Sequence, residues 1–233
     1  MLNSLVQDLF AVLDEVFREP KKFWEDFYND REKDIPFFRN EGPDENLVSY
    51  FKEGFKPLKV LEIGCGPGRN AIYMASQGCK VDAIDLSENA INWAAERALE
   101  KDVTINFQCA SLFDMELEPD KYDFIYDSGL FHHLTPHRRI SYIETLKKSL
   151  NEDGHFGLVC FTPEGALPTS DIEIYKEQSL KRGIGYTEER LRGQFERDFD
   201  ILQFRKMKKS DAKELFGEDF LWTIFMQKKK PGF

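Results

Sequence analysis

The sequence predicts an α/β fold in which a mostly parallel sheet carries helices on both faces, behind an aromatic-rich N-terminal helical cap. Three observations predict it. From Leu58 onward, short β-branched runs alternate with longer stretches of helical period, the pattern of successive βαβ units. The first run, Leu58-Lys59-Val60-Leu61-Glu62-Ile63, opens onto Gly64-Cys65-Gly66-Pro67-Gly68, with glycine at alternate positions. The second, Val81-Asp82-Ala83-Ile84, ends in Asp85-Leu86-Ser87, which puts a carboxylate at a strand tip.

At the N-terminus, Leu2, Leu5, Val6, Leu9, Phe10, Leu13, Val16 and Phe17 recur at helical spacing, predicting an amphipathic helix that covers something apolar; Pro20 ends or kinks it. A second helix over 21–29 gathers Phe23, Trp24, Phe27 and Tyr28, and Ile35-Pro36-Phe37-Phe38 reads as a loop. Strands are expected at about 58–63, 79–85, 103–108, 122–127 and 155–161, with helices at about 69–77, 87–101 and 136–150. Ser87 with Glu88 opens the second of these helices and Thr135-Pro136 the third. Asn151-Glu152-Asp153-Gly154 reads as a turn before the fifth strand. Residues 162–185 hold three glycines and two prolines around a short helical stretch near 172–181, and read either as a lid or as a plain connection. Thr187 caps a further helix, and two strands at about 199–207 and 219–228 close the sheet.

Composition narrows the function. A length of 233 residues suits one well-cored domain with an added lobe. A net charge of −10 argues against a surface built to neutralise phosphates, so nucleic acid is not an expected partner. Lys228-Lys229-Lys230 reads as a solubilising tail. Cys65, Cys79, Cys109 and Cys160 match no metal-ligand spacing and read as reduced core or near-core residues, and no metal is expected. No stretch has the length or flanks of a leader or a membrane span, so the expectation is a cytoplasmic protein with no membrane contact.

The glycine-rich turn lets backbone groups approach a ligand closely, and the helix beginning near Arg69 points its N-terminus at the same place. A dinucleotide fingerprint would place its third glycine one residue later, where Arg69 stands, so the spacing favours an adenosylmethionine site. Asp85 is placed to accept both hydroxyls of a ribose. In the exit of the fourth strand, Tyr122-Asp123-Phe124-Ile125-Tyr126-Asp127-Ser128-Gly129-Leu130-Phe131-His132-His133-Leu134, Asp127 is the candidate to border a methionine moiety. His133, or His132, either removes a proton from a nucleophile or merely packs.

On these motifs the chain resembles the class I S-adenosylmethionine-dependent methyltransferases, small-molecule type, strongly over 58–161 and more loosely in the closing strands. The resemblance implies a Rossmann-like seven-stranded sheet of order 3-2-1-4-5-7-6 with the seventh strand antiparallel, and a single domain over 1–233. Within it, 1–57 is an N-terminal helical cap, 58–161 the cofactor-binding core, and 162–233 the lid region and closing strands. It implies S-adenosyl-L-methionine as cofactor, held by Glu62, Gly64, Cys65, Gly66, Gly68, Asp85, Leu86, Ser111, Leu112 and Asp127. Ser111 stands where the family often has an Asp that contacts adenine. The cap, with Trp24 ahead of Phe37-Phe38, also resembles that of thiopurine and tellurite-resistance type methyltransferases, which often carry an Arg where this chain has Ser128. The expected acceptor is a small-molecule nucleophile. A non-catalytic cofactor-binding module and a protein methyltransferase stay open as alternatives, and oligomeric state is not readable.

Overall fold

The computed structural model describes residues 4–230. Its centre is one seven-stranded sheet of order β3-β2-β1-β4-β5-β7-β6. The strands are β1 (Lys59–Ile63), β2 (Lys80–Asp85), β3 (Asn106–Cys109), β4 (Tyr122–Ser128), β5 (Leu150–Phe161), β6 (Phe199–Lys206) and β7 (Leu221–Lys228). The first five pair in parallel, and β7 runs antiparallel to both β5 and β6. The expected order is therefore observed.

Alternation along the strands makes two cores. Leu61, Ile125, Leu158 and Cys160 point into one, while Val60, Phe124, Tyr126 and Val159 point into the other. The first is closed by α7 (Pro136–Ser149) and α9 (Glu188–Phe195), through Tyr142, Leu146, Leu191 and Phe195. The second is closed by α4 (Glu45–Lys52) and α5 (Arg69–Ser76), through Leu47, Tyr50, Ala71 and Met74. The helix α6 (Glu88–Glu100) buries only alanines, Ala90, Ala94 and Ala98, which lets it lie close to the sheet, and the Ser87 hydroxyl caps it by accepting from the Ala90 N–H.

The cap consists of α1 (Ser4–Asp14), α2 (Pro20–Asn29) and α3 (Pro36–Arg39). Leu2 lies outside the described residues. Of the predicted apolar face of α1, Phe10 is buried and Leu13 and Phe17 are half-buried, but Leu5, Leu9 and Val16 face solvent, so only one edge of that stripe covers the body. A polar clasp holds that edge: Asp14 bonds His137 at 2.8 Å and also pairs with Arg138.

Several expectations are corrected. The 35–38 loop is a helical turn, because Pro36 presets the first position of α3. The helix α4 had no counterpart in the sequence reading. Asn151 to Gly154 form no turn between elements; they lie within β5 as an irregular bulge in which four residues oppose Asp123, since Tyr122 pairs with Leu150 and Phe124 with His155. Asp123 stabilises that bulge by accepting from the Asn151 amide at 2.7 Å. In 162–185 the helix is α8 (Asp171–Glu177), shorter than expected because Gln178 turns left-handed at φ +52°. Cys109 is exposed and does not lie in the core, whereas Cys65, Cys79 and Cys160 are buried; all are free thiols.

Candidate active site

The carboxyl ends of β1 and β2 form a floor. Gly64 and Cys65 both donate to the Ile84 carbonyl, at 2.8 and 2.9 Å, which ties the turn to the neighbouring strand. Gly66 sits at φ +51°, and a Cβ there would lie 2.8 Å from the Tyr28 hydroxyl, so both the conformation and the space demand glycine. Asp85 is braced by the same turn: one carboxylate oxygen accepts from the Gly66 N–H and the other from the Ser87 N–H, each at 2.9 Å. Burial pushes its pKa up to about 6, against those backbone bonds, so it carries charge at neutral pH. Beside it, the Cys109 thiol donates to the Leu86 carbonyl at 3.4 Å and the Ser111 hydroxyl accepts from the Phe113 N–H at 3.2 Å. Leu112 is buried in the cluster that also holds Ile63 and Ile84. The predicted floor residues are thus brought together at three adjacent strand ends.

Behind the turn lies a buried polar network. Glu62 is only 1% exposed, one of its oxygens has no partner, and burial pushes its pKa up to about 8 despite the nearby Arg69. Arg69 pairs with Asp44 at 2.5 Å and donates to the Ser128 hydroxyl at 3.1 Å, its guanidinium lying 4.1 Å over the Phe216 ring. Asp44 also accepts from the Tyr126 hydroxyl at 2.7 Å. An arginine therefore reaches Ser128 from the start of α5. The sequence places Arg69 at the start of this helix, but nothing local in it ties the guanidinium to Asp44 and Ser128.

The exit of β4 forms a wall. Asp127 is fully buried, and its oxygens accept from Leu130 N–H at 2.7 Å, Phe131 N–H at 3.0 Å and the Tyr142 hydroxyl at 2.5 Å. Burial lifts its pKa to about 7. Those bonds set the short 3-10 turn Phe131–His133, which turns both imidazoles inward. His132 stacks on Phe161 at 4.0 Å and His133 meets Trp24 edge-on at 4.8 Å. Each imidazole keeps a buried Nδ1 with no partner. Burial holds His133 down to about 3, with the Arg18 charge adding to the effect, and holds His132 well below the ordinary imidazole range.

Above lies an aromatic roof of Trp24, Phe27, Tyr28, Phe37 and Phe38, joined by Trp93 of α6. The segment 162–185 closes the side: the Ile184 N–H donates to the His132 carbonyl at 2.9 Å, and a Cβ on Gly183 would come within 3.1 Å of both imidazoles and Phe161. Phe161 and Gly183 were not foreseen, because nothing local in sequence ties them to the histidines. Among the described residues, no cluster of His, Cys, Asp and Glu is placed to hold a metal ion, and no helix is long and apolar enough to cross a membrane.

A methyltransferase-domain family model matches residues 60–154. An uncharacterised methyltransferase of Schizosaccharomyces pombe is 32% identical over 103 residues, covering 44% of this chain and 71% of that protein. The chain belongs to the class I S-adenosylmethionine-dependent methyltransferases. The probable S-adenosyl-L-methionine-dependent methyltransferase TehB of Haemophilus influenzae is 28% identical over 152 residues, 64% of this chain; the chain spans about half, 49%, of TehB. Among solved structures, Burkholderia thailandensis 1,6-didemethyltoxoflavin-N1-methyltransferase, with its namesake ligand and S-adenosylhomocysteine bound, superposes with a TM-score of 0.68 at 18% identity. It covers 96% of this chain and 90% of that one. The methyltransferase fold thus extends over the cap as well as the sheet, and the cofactor of this family is S-adenosylmethionine.

Proposed function

We propose that this methyltransferase transfers the methyl group of S-adenosylmethionine to a small-molecule nucleophile held between the roof and the β4 exit, in the cytoplasm. The observation that carries the proposal is the floor: a left-handed glycine turn too tight for any Cβ, with an ionised Asp85 bound to its backbone. A cofactor carrying a ribose and an amino-acid end fits that chemistry. Asp85 and Leu86 would take the ribose, Ser111 and Leu112 the adenine edge, and Glu62, Gly64, Cys65, Gly66, Gly68 and Asp127 would surround the methionine end. Bound there, the donor supplies a methyl on a cationic sulfur that keeps the electron pair of the broken bond as the acceptor's pair takes the carbon.

The protein's task is then alignment and exclusion of water. Trp24, Tyr28 and Phe38 offer π faces to a cation. Asp127 fixes the turn that carries His132 and His133. A His133 neutral down to about pH 3 is a weak base, which suits hydrogen bonding to an acceptor that ionises by itself, such as a thiol. Isothermal calorimetry with S-adenosylmethionine and S-adenosylhomocysteine, on wild type and Asp85→Ala, tests the floor. Binding by wild type with loss in the variant is expected, and a wild type that binds neither ligand would overturn the assignment. Tight binding with no methyl transfer to thiols, phenols or amines would favour the non-catalytic alternative.

A further inference from the structure

In this acid-rich chain, two arginines without a hydrogen-bond or ion-pair partner belong to segments that border the space proposed for the acceptor. Among the arginines whose side chains are described, Arg31, Arg69, Arg97, Arg138, Arg139, Arg190, Arg192 and Arg205 each hold a carboxylate, a hydroxyl or a carbonyl. Arg18, Arg182 and Arg197 hold none of these; Arg197 lies between α9 and β6, whereas Arg18 and Arg182 adjoin residues that meet the two imidazoles. Arg18 lies on the link from α1 to α2, its guanidinium 3.6 Å over the Phe23 ring, and Phe23 in turn packs against Trp24 at 5.0 Å, the residue that touches His133. The carboxylate next to it in sequence is spent elsewhere: both oxygens of Glu19 cap α2, accepting from the Lys21 and Lys22 N–H groups at 2.8 and 2.7 Å. Arg182 directly precedes Gly183, the residue seated on both imidazoles, whereas its neighbour Lys181 is neutralised by Glu177 at 2.9 Å.

Beside these segments, the roof offers aromatic faces and the β4 exit two neutral imidazoles whose Nδ1 atoms are buried without partners. An unpaired guanidinium stacked on a ring is pre-organised, keeps its forked donors free and is well matched to a carboxylate or other oxyanion. The rings and imidazoles suit a flat apolar body with a nucleophilic atom. We infer that the acceptor is an anionic aromatic compound, whose acidic group is held by Arg18 with Arg182 and whose nucleophilic atom lies at His133. This rests on the methyl-transfer reading of the site. It adds a specificity element on the opposite side from the cofactor floor, built from the cap and from the 162–185 segment. Both arginines are exposed, so replacing them leaves the core untouched.

A matched pair of probes tests it: 4-mercaptobenzoate and a counterpart of similar shape that lacks the carboxylate, 4-methylbenzenethiol. Their binding to S-adenosylhomocysteine-saturated protein is measured by calorimetry, and their methylation by transfer of labelled methyl. Wild type is expected to favour the acid by about tenfold or more in affinity and in kcat/KM. Arg18→Gln should remove most of that preference, Arg182→Gln part of it, and Arg18→Glu should invert it, all with S-adenosylhomocysteine affinity within about twofold of wild type. Equal binding of the two probes, binding of neither, or an acid preference that survives in the Arg18→Gln/Arg182→Gln double variant would overturn the inference while leaving the cofactor site standing. Failure of wild type to bind S-adenosylhomocysteine would instead remove the site itself.

Discussion

The floor and the roof of the site are built on opposite principles. On the floor, Asp85 has both oxygens engaged by backbone N–H groups, and Asp127 on the adjoining wall is held the same way. Under the roof, His132 and His133 are pressed among rings with Nδ1 atoms that bond nothing. The floor is thus fixed before any ligand arrives, as binding one constant cofactor requires. The roof leaves polar capacity unused, and an acceptor is the component that would complete it.

Breaking the floor should cost most. Asp85→Ala removes a charged acceptor and frees two turn N–H groups, so S-adenosylhomocysteine affinity should fall by about 100-fold, near 3 kcal/mol, by calorimetry. Asp85→Asn keeps one backbone bond and should lose less. Gly66→Ala meets both an unfavourable φ and the Tyr28 hydroxyl, and a loss of about tenfold in the same titration is expected.

The titrating groups sharpen the contrast through stability. His133 takes a proton near pH 6.5 when unfolded but only near 3 when folded, so stability is intact above 6.5 and drains away as pH falls toward 3. Glu62, raised from the ordinary 4.5 to about 8, acts in the other direction: the unfolded chain releases its proton first, so stability declines as pH climbs from 4.5 to 8. Glu62→Gln should therefore raise stability by roughly 1–3 kcal/mol at pH 8 and change little at pH 4, measured by urea unfolding at both values. The smallest effect is expected from His133→Gln on kcat. A positioning role predicts less than about tenfold, whereas a fall of 10² or more would restore the imidazole as a general base.

The same division decided what the sequence could disclose. The floor is legible because its parts are contiguous: a strand, a turn whose glycines have few other uses, and a carboxylate one βαβ unit later. The sheet order came with the family resemblance that these contiguous motifs carry. Asp127 was found by position, but the direction of its carboxylate, toward Tyr142 and the following turn, depends on α7 and leaves no local trace. The roof draws on residues near 18–38, on Phe161 and on Gly183, which meet only after the sheet has formed. The helix α4 escaped notice because it is eight residues long and follows Gly42-Pro43, and the β5 bulge because Asn-Glu-Asp-Gly has the composition of a turn.

The link from α3 to α4 is fastened by a much later stretch of the chain. Phe216 donates to the Pro43 carbonyl at 2.8 Å and accepts from the Glu45 N–H at 2.9 Å, while Arg205 grips the Glu45 carboxylate. During synthesis the cap emerges well before the segment that anchors it. At ordinary elongation rates, Trp24, Phe27, Phe37 and Phe38 would wait roughly ten to thirty seconds for their place. Over that interval the nascent chain carries an unsheltered aromatic segment, and the ribosome-bound protein, more than the finished enzyme, is the form that calls for a chaperone.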